Sequence, residues 1–600
     1  MRTRLLAALA LGVALLAPAS LPAQSSAFTS HWMFEDSPAL GEPLPDPSQD
    51  SGQAAANPAA GLRITVQGVV LNAATGQPLP RVLVKVEDTG ALTDGEGRFE
   101  IPGVPAGLQT ITATKPGFRG QGSSYRGFDS NAYHLVRVAD KMPELSFSLA
   151  PTNTLSGHVT LSTGDPAVGI GIQLLRQSVE DGRANWNLMD VHPTNPEGEY
   201  RFAGLEDGTY LAMTLPAFDN DLTAPSAQSP HAPLQLPGYP IAFFADAADA
   251  AGASRIPLAG GQQGTANFTL ALSPFHAIAI TVAKPRAASH WQFTSSLQDR
   301  SGQKLNYPLL YDEKSSTFRA YLPDGSYTLT VEGNNLEGPE RDDLPLSRQR
   351  NRPAQVAGLL DFSVSGHLEP NLRVVLASDV ATPIRVRYEP APPARTPGSR
   401  NGSGLDAADE PPPLGFWIKR TGGGDNQKNA DFPDADLLQL SAVAPGSYWV
   451  QASANRTGTC LGAVTAGGVS LGQTPLIVGP SGAGMPVEAV IRTDCASLNL
   501  QLPSTAESEA PGEEPTYYVY VVPEFDSVAA VLPATLRPSA GGSATLANLT
   551  PGSYRVLVFD APHQLEYRNP TALAAYAGRS QQVTLSPGAT SSLLLELPTP

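Results

Sequence analysis

Asp207-Gly208-Thr209-Tyr210-Leu211 follows the strand-like run 198–205, and this turn-into-strand pattern recurs along the chain. It returns as Leu322-Pro323-Asp324-Gly325-Ser326-Tyr327, as Val443-Ala444-Pro445-Gly446-Ser447-Tyr448 and as Leu549-Thr550-Pro551-Gly552-Ser553-Tyr554. A degenerate copy comes first, Val104-Pro105-Ala106-Gly107-Leu108-Gln109, with Gln109 where the others carry tyrosine. The glycines at 107, 208, 325, 446 and 552 lie 101, 117, 121 and 106 residues apart. A unit of ~100 residues is the scale of a whole folded domain, not of a solenoid repeat. Glycine permits a turn with positive φ, and the Pro or Asp before it suits the turn's early positions. The tyrosine two residues on begins a strand of alternating apolar residues.

Outward from the turn, the pattern resembles the tyrosine corner of Greek-key sandwiches, in which the hydroxyl bonds back to nearby backbone. Gly208 and Tyr210, Gly325 and Tyr327, Gly446 and Tyr448, and Gly552 and Tyr554 are the expected structural pairs; Gly107 is the fifth turn. With no helical periodicity longer than two turns, the fold class is all-β: about five tandem Greek-key (transthyretin/Ig-like) β-sandwich domains. Their expected bounds are 62–151, 152–273, 274–379, 380–496 and 497–600, after a signal peptide (1–23) and a flexible linker (24–61).

The 600 residues are too many for one core, and 41% apolar residues are enough to fold several. The net charge of −17 argues against nucleic acid or an anionic membrane surface as partner, since both reward basic patches. Arg2 and Arg4 followed by the apolar run Leu5–Leu16 read as a signal peptide, cut after Ala19 or Ala23. That run is too short to span a bilayer, and no later stretch reads as a transmembrane helix. Export to an extracytoplasmic place (periplasm, cell surface or medium) is expected. Residues 35–61, rich in Pro, Ala and acid, read as linker. Loops 389–413 and 503–515 are also rich in Pro and acid, and the first is expected to be disordered.

The first domain opens with the alternating run 63–71, a turn at Thr75-Gly76-Gln77-Pro78-Leu79-Pro80, and a strand at 82–86. Thr93-Asp94-Gly95-Glu96-Gly97-Arg98-Phe99 follows as a hairpin-type turn. These motifs, with Val104-Pro105-Ala106-Gly107 and Lys115-Pro116-Gly117-Phe118, in this order, resemble the carboxypeptidase regulatory-like (transthyretin-like) domain over residues 62–120. The second domain is similar to it more weakly, and its excursion Phe218–Asp249 holds a Tyr-Pro-x-x-x-Phe segment similar to one in multi-domain bacterial members. The resemblance implies a β-sandwich without catalysis of its own. It also implies a possible place beside an outer-membrane receptor, although no barrel-length strand region follows here.

No constellation reads as catalytic. His563-Gln564-Leu565-Glu566 fits the short zinc motif of metallocarboxypeptidases, but no third His follows it. Gly468-Val469-Ser470-Leu471-Gly472 fits the nucleophile-elbow string in a Gly-rich β context instead of strand–turn–helix. Asp431, Asp434 and Asp436 lack the glycine and terminal Glu of a calcium loop. No metal and no cofactor is expected. Cys460 and Cys495, the only two cysteines, suggest one disulfide in an exported chain; two buried free thiols are the rival. The expected role is non-catalytic binding or scaffolding at the cell envelope, with a protein or glycan partner. Recognition is placed at the junction of the second and third domains, on Tyr239, Phe243 and Phe244, unless these only pack. A carbohydrate-binding accessory role would need exposed aromatics, which Trp186, Trp291, Trp417 and Trp449 could supply if they are not core.

Overall fold

The computed structural model describes residues 63–120, 132–140, 142–218, 233–245, 247, 249–284, 291–300, 302–335, 355–366, 371–378, 381–390, 414–421, 427–434, 437–441, 443–479, 482–503, 515–538 and 541–597. The signal peptide, the linker and nearly all of loops 389–413 and 503–515 lie outside them. Within them the chain is nearly all-β, arranged in ten small sheets. The helical content is a five-residue α-helix, Pro570–Ala574, and single 3-10 turns such as Ala577–Arg579.

One wiring recurs five times. An opening strand pairs in parallel with the strand that closes the same stretch of chain: Arg63–Asn72 with Leu145–Pro151, and Asn153–Leu161 with Gln263–Thr265 and Phe268–Leu270. Ser273–Ala283 pairs likewise with Arg373–Val375, Ala381–Glu389 with Val487–Arg492, and Ala496–Gln501 with Thr590–Leu594. On its other side each opening strand pairs antiparallel with the strand entering the Gly-x-Tyr turn. The strand leaving that turn belongs to a different sheet. The turn therefore carries the chain from one sheet to the sheet facing it, which is the geometry a Greek-key corner requires.

The alternation of these strands follows from that packing. Val66 and Val70 face Val84, Ile111, Phe99 and Phe147 in the first core, while their neighbours point to solvent. Gly208–Thr214 breaks the rule because both of its faces are buried. Tyr210 and Ala212 enter the core of the second sheet pair, whereas Leu211 and Met213 enter the core shared with Phe275, Tyr327 and Leu329. A continuous apolar run at this place reports a strand held between two cores. The four corner tyrosines nevertheless sit in four different cores.

The excursion 218–249 differs from the expected loop of the second domain. Ala217–Phe218 and Gln235–Tyr239 are strands of the sheet opened by Ser273–Ala283, with Leu236 opposite Phe275. The Phe218 and Phe275 rings lie 5.1 Å apart. Covering that sheet edge buries apolar side chains a free loop would expose. A cut at residue 273 consequently severs a sheet.

Candidate functional site: a tryptophan-lined cleft

The corners show what the glycines and tyrosines do. Tyr210 donates to the Glu206 carbonyl at 2.7 Å, Tyr327 to Pro323 at 2.8 Å, Tyr448 to Ala444 at 2.6 Å and Tyr554 to Thr550 at 2.6 Å. In the first copy Gln109 Nε2 donates to the Pro105 carbonyl at 3.3 Å, the same four-residue return by an amide. The positive φ expected at every turn glycine is found at Gly107, Gly446 and Gly552. Gly208 and Gly325 are constrained by crowding instead: a Cβ would sit 3.0 Å from Arg176 Nε and from the Tyr327 hydroxyl, respectively.

Cys460 and Cys495 are bonded, with Cα atoms 5.8 Å apart. Cys460 begins the strand Cys460–Ala466, and Cys495 immediately precedes the strand Ala496–Gln501. The bridge thus ties a strand of one sheet pair, at its register opposite Arg492, to the entrance of the next.

The aromatic trio expected at the partner surface is placed otherwise. Phe243 is 1% exposed, inside the core of Phe275 and Tyr327, and cannot reach a partner. Tyr239 and Phe244 are half-buried against the second core, Phe244 edge-on to Phe268 at 6.2 Å. These rings are apolar and lie over a core edge, so packing takes them. His563 stacks on Phe559 at 4.1 Å and bonds the Tyr576 hydroxyl at 2.6 Å, while Glu566 accepts from Asn569 at 3.0 Å. Burial, and secondarily Arg579, lower the His563 pKa. Ser470 closes a two-stranded hairpin opposite Thr465, with no helix after it. The strand Asp431–Asp434 pairs antiparallel with Leu437–Ser441. Asp436 lies outside the described residues.

Three of the four candidate tryptophans converge elsewhere. Trp291 stacks on Phe293 at 6.3 Å against a core. Trp186, Trp417 and Trp449 line one cleft of about 250 Å³. One wall is the outward face of a sheet. The strand Leu414–Arg420 alternates Phe416 and Ile418 inward with Trp417 and Lys419 outward, and Gly446–Ala454 alternates Val450 and Ala452 inward with Trp449 and Gln451 outward. Register sets Trp417 opposite Gln451 and Lys419 opposite Trp449. The Trp417 indole N–H donates to the Gln451 side-chain oxygen. The facing wall is the hairpin of Gly171–Glu180 and Arg183–Pro193, which contributes Glu180, Asp181, Arg183, Asn185 and Trp186. Ala250, Ala251, Arg255 and Gln303 complete the rim.

An ionic joint beneath the cleft holds that hairpin. Arg568, 8% exposed, donates to Asp181 through Nε and Nη2 at 3.0 Å, and to the Ala529 carbonyl at 3.1 Å. Tyr567 adds a 2.8 Å bond to Asp181. Arg183 pairs with Asp181 at 2.8 Å, donates to the Gly472 carbonyl at 2.8 Å and lies 3.9 Å over the Trp449 ring. Burial, then repulsion from Arg568, lower the Arg183 pKa against the pull of Asp181, and the group stays charged at neutral pH. Gly182 packs where a Cβ would strike the Tyr567 ring at 2.7 Å. Lys419 and Glu180 close the mouth at 2.5 Å.

Of these residues the sequence reading named the tryptophans but did not join them. The alternation Trp417-x-Lys419 and Trp449-x-Gln451 was the available signal, since it places large aromatics on the solvent face of strands whose other face is core. The hairpin's approach has no local sign, because its partners Gln564 and Tyr567 are 385 and 386 residues away in the chain.

Among the described residues no helix is long and apolar enough to cross a membrane, and no group of His, Cys, Asp and Glu could hold a metal ion. No curated protein matches the chain. Solved structures that resemble it include a streptococcal ancillary pilin, at 13% identity and TM-score 0.17, covering 52% of this chain and 98% of that one. Another is the Bacillus anthracis TIE protein, at 12% identity and TM-score 0.14, covering 72% and 68%. A third is a minor pilin of Streptococcus agalactiae, at 14% identity and TM-score 0.17, covering 38% and 99%. Scores this low mark no shared arrangement. Within the first sheet pair, residues 65–137 match the carboxypeptidase regulatory-like domain family.

Proposed function

We propose that the protein is an exported, non-catalytic binding protein of the cell envelope, built of five tandem β-sandwiches, that holds a glycan in the tryptophan-lined cleft. The observation that carries this reading is the convergence of Trp186, Trp417 and Trp449 on one cavity with Asn185, Gln427 and Gln451. Aromatic faces accept the apolar C–H faces of sugar rings, and amide side chains on the same walls satisfy hydroxyls. The five-sandwich reading is supported by the five parallel opening and closing strand pairs.

The test is an oligosaccharide screen on the purified protein, followed by calorimetry on Trp417→Ala and Gln451→Ala. Both side chains face outward, so both variants should melt like wild type while losing glycan affinity. A wild-type protein that binds no glycan, or variants that bind as wild type does, would sink the reading.

A further inference from the structure

Resting on the glycan reading, we infer that the cleft selects a carboxylated sugar, one bearing its acid group on or beside the ring that stacks on tryptophan. The charge inventory of the walls points there. The chain carries a net −17, yet the cleft and the joint beneath it gather Arg183, Arg255, Lys419, Arg420 and Arg568 against only Glu180 and Asp181. Glu180 is taken by Lys419. Asp181 is shared between Arg183 and Arg568, so one carboxylate serves two guanidiniums. Arg420 is spent on neutral acceptors, the Pro445 carbonyl at 2.9 Å and the Tyr448 hydroxyl at 3.1 Å. Its side chain is anchored at the corner and offers charge without a free fork.

Arg255 differs from all of these. It is exposed on the rim, and its side chain makes no hydrogen bond or ion pair among the described residues. Its whole fork is open to a ligand, and a guanidinium matches a carboxylate with two parallel hydrogen bonds. Of these cations Arg183 lies over the Trp449 ring, and Arg255 stands on the same rim as the tryptophans, so a stacked ring can bring its acid group to it. A neutral sugar would use the tryptophans and amides and leave this charge unspent. An acidic sugar uses both. The acidity of the remaining surface repels such a ligand elsewhere and so favours its capture at this one place.

The experiment compares a uronic-acid oligosaccharide with its methyl ester, which keeps the ring and removes the charge, on full-length wild type, Arg255→Gln and Trp417→Ala. Wild type should prefer the acid, and Arg255→Gln should lower acid affinity roughly tenfold, the value of one charge-assisted pair. The ester, which keeps only a neutral acceptor, should lose much less affinity in that variant. Raising salt should weaken the acid alone. Trp417→Ala should lose both ligands. Equal wild-type affinity for acid and ester overturns the charge selection and leaves the glycan reading standing. Binding of neither form by wild type overturns the glycan reading and this inference with it. An acid preference that persists undiminished in Arg255→Gln removes Arg255 from the role. A sulfated sugar bound more tightly than the uronate shows that the cleft selects anions but not carboxylates.

Discussion

Each corner hydroxyl is donated to one carbonyl four residues back. Tyr554→Phe keeps the ring and deletes the donor, leaving a half-buried acceptor unpaired at a cost of about 1–2 kcal/mol. Gln109→Ala should cost less, because its bond is longer, at 3.3 Å against 2.6 Å. Chemical denaturation of the two variants checks the order, and a larger loss at Gln109 would contradict it. Three of the corner tyrosines, with the core residue Tyr307, set an alkaline limit. Burial raises the pKa of Tyr210, against Arg176, to about 12, and raises that of Tyr307 to about 12; Tyr327 and Tyr554 are also raised. Below the ordinary tyrosine value of about 10 both folded and unfolded chains keep the proton, so pH has no effect through these groups. Above it the unfolded chain ionises first, and stability falls as pH rises from about 10 to about 12. Melting temperatures across that window, followed with tyrosinate absorbance, should drop together with the appearance of the buried phenolates. Phenolates at these positions in a still-folded protein near pH 10 would show the burial to be wrong.

At the scale of elements, the disulfide closes the segment between Cys460 and Cys495, 35 apart in sequence. Cys460→Ser with Cys495→Ser should destabilise by about 3–4 kcal/mol on the chain-entropy estimate. Thiol titration of the unreduced, denatured wild type should find no free thiol, and two per chain would refute the bond. The hairpin 171–193 is the other decisive element. Its tip strand pairing is ordinary, Glu180 opposite Arg183, and its docking is what makes it a wall of the cleft. Strand alternation made the inward residues of strands such as Arg63–Asn72 and Gly446–Ala454 legible, but not those of Gly208–Thr214, which is buried on both faces. The exit of Gln235–Tyr239 to the neighbouring sheet was not readable, because Leu236 and Phe218 are equally suited to either core.

Across the whole molecule, the buried group of Asp181, Arg183, Tyr567 and Arg568 ties the second sheet pair to the last two. Removing one partner of a buried ion pair leaves the others charged and uncompensated, at roughly 3–5 kcal/mol. Arg568→Ala should therefore free the hairpin and split a joint thermal transition into separate steps in calorimetry. On the glycan reading proposed above, it should also weaken binding, although Arg568 is beneath the cleft and not on its lining. A single unchanged transition in that variant would show that the joint couples nothing.

Strands and their turns were legible in the chain alone, because a period of two and a Gly-x-Tyr corner act over a few residues. The carboxypeptidase regulatory-like resemblance was legible for the same reason, since those motifs are successive local turns. Whether Phe243 is core, and that Gln109 makes the return a tyrosine makes elsewhere, emerged only on folding. The tertiary structure alone assembled Trp186, Trp417 and Trp449 into one cleft. The cleft depends on contacts between residues hundreds of positions apart, and the burial of Phe243 on strands outside its own segment such as that of Phe275; packing energy carries no mark of its partner in the local pattern.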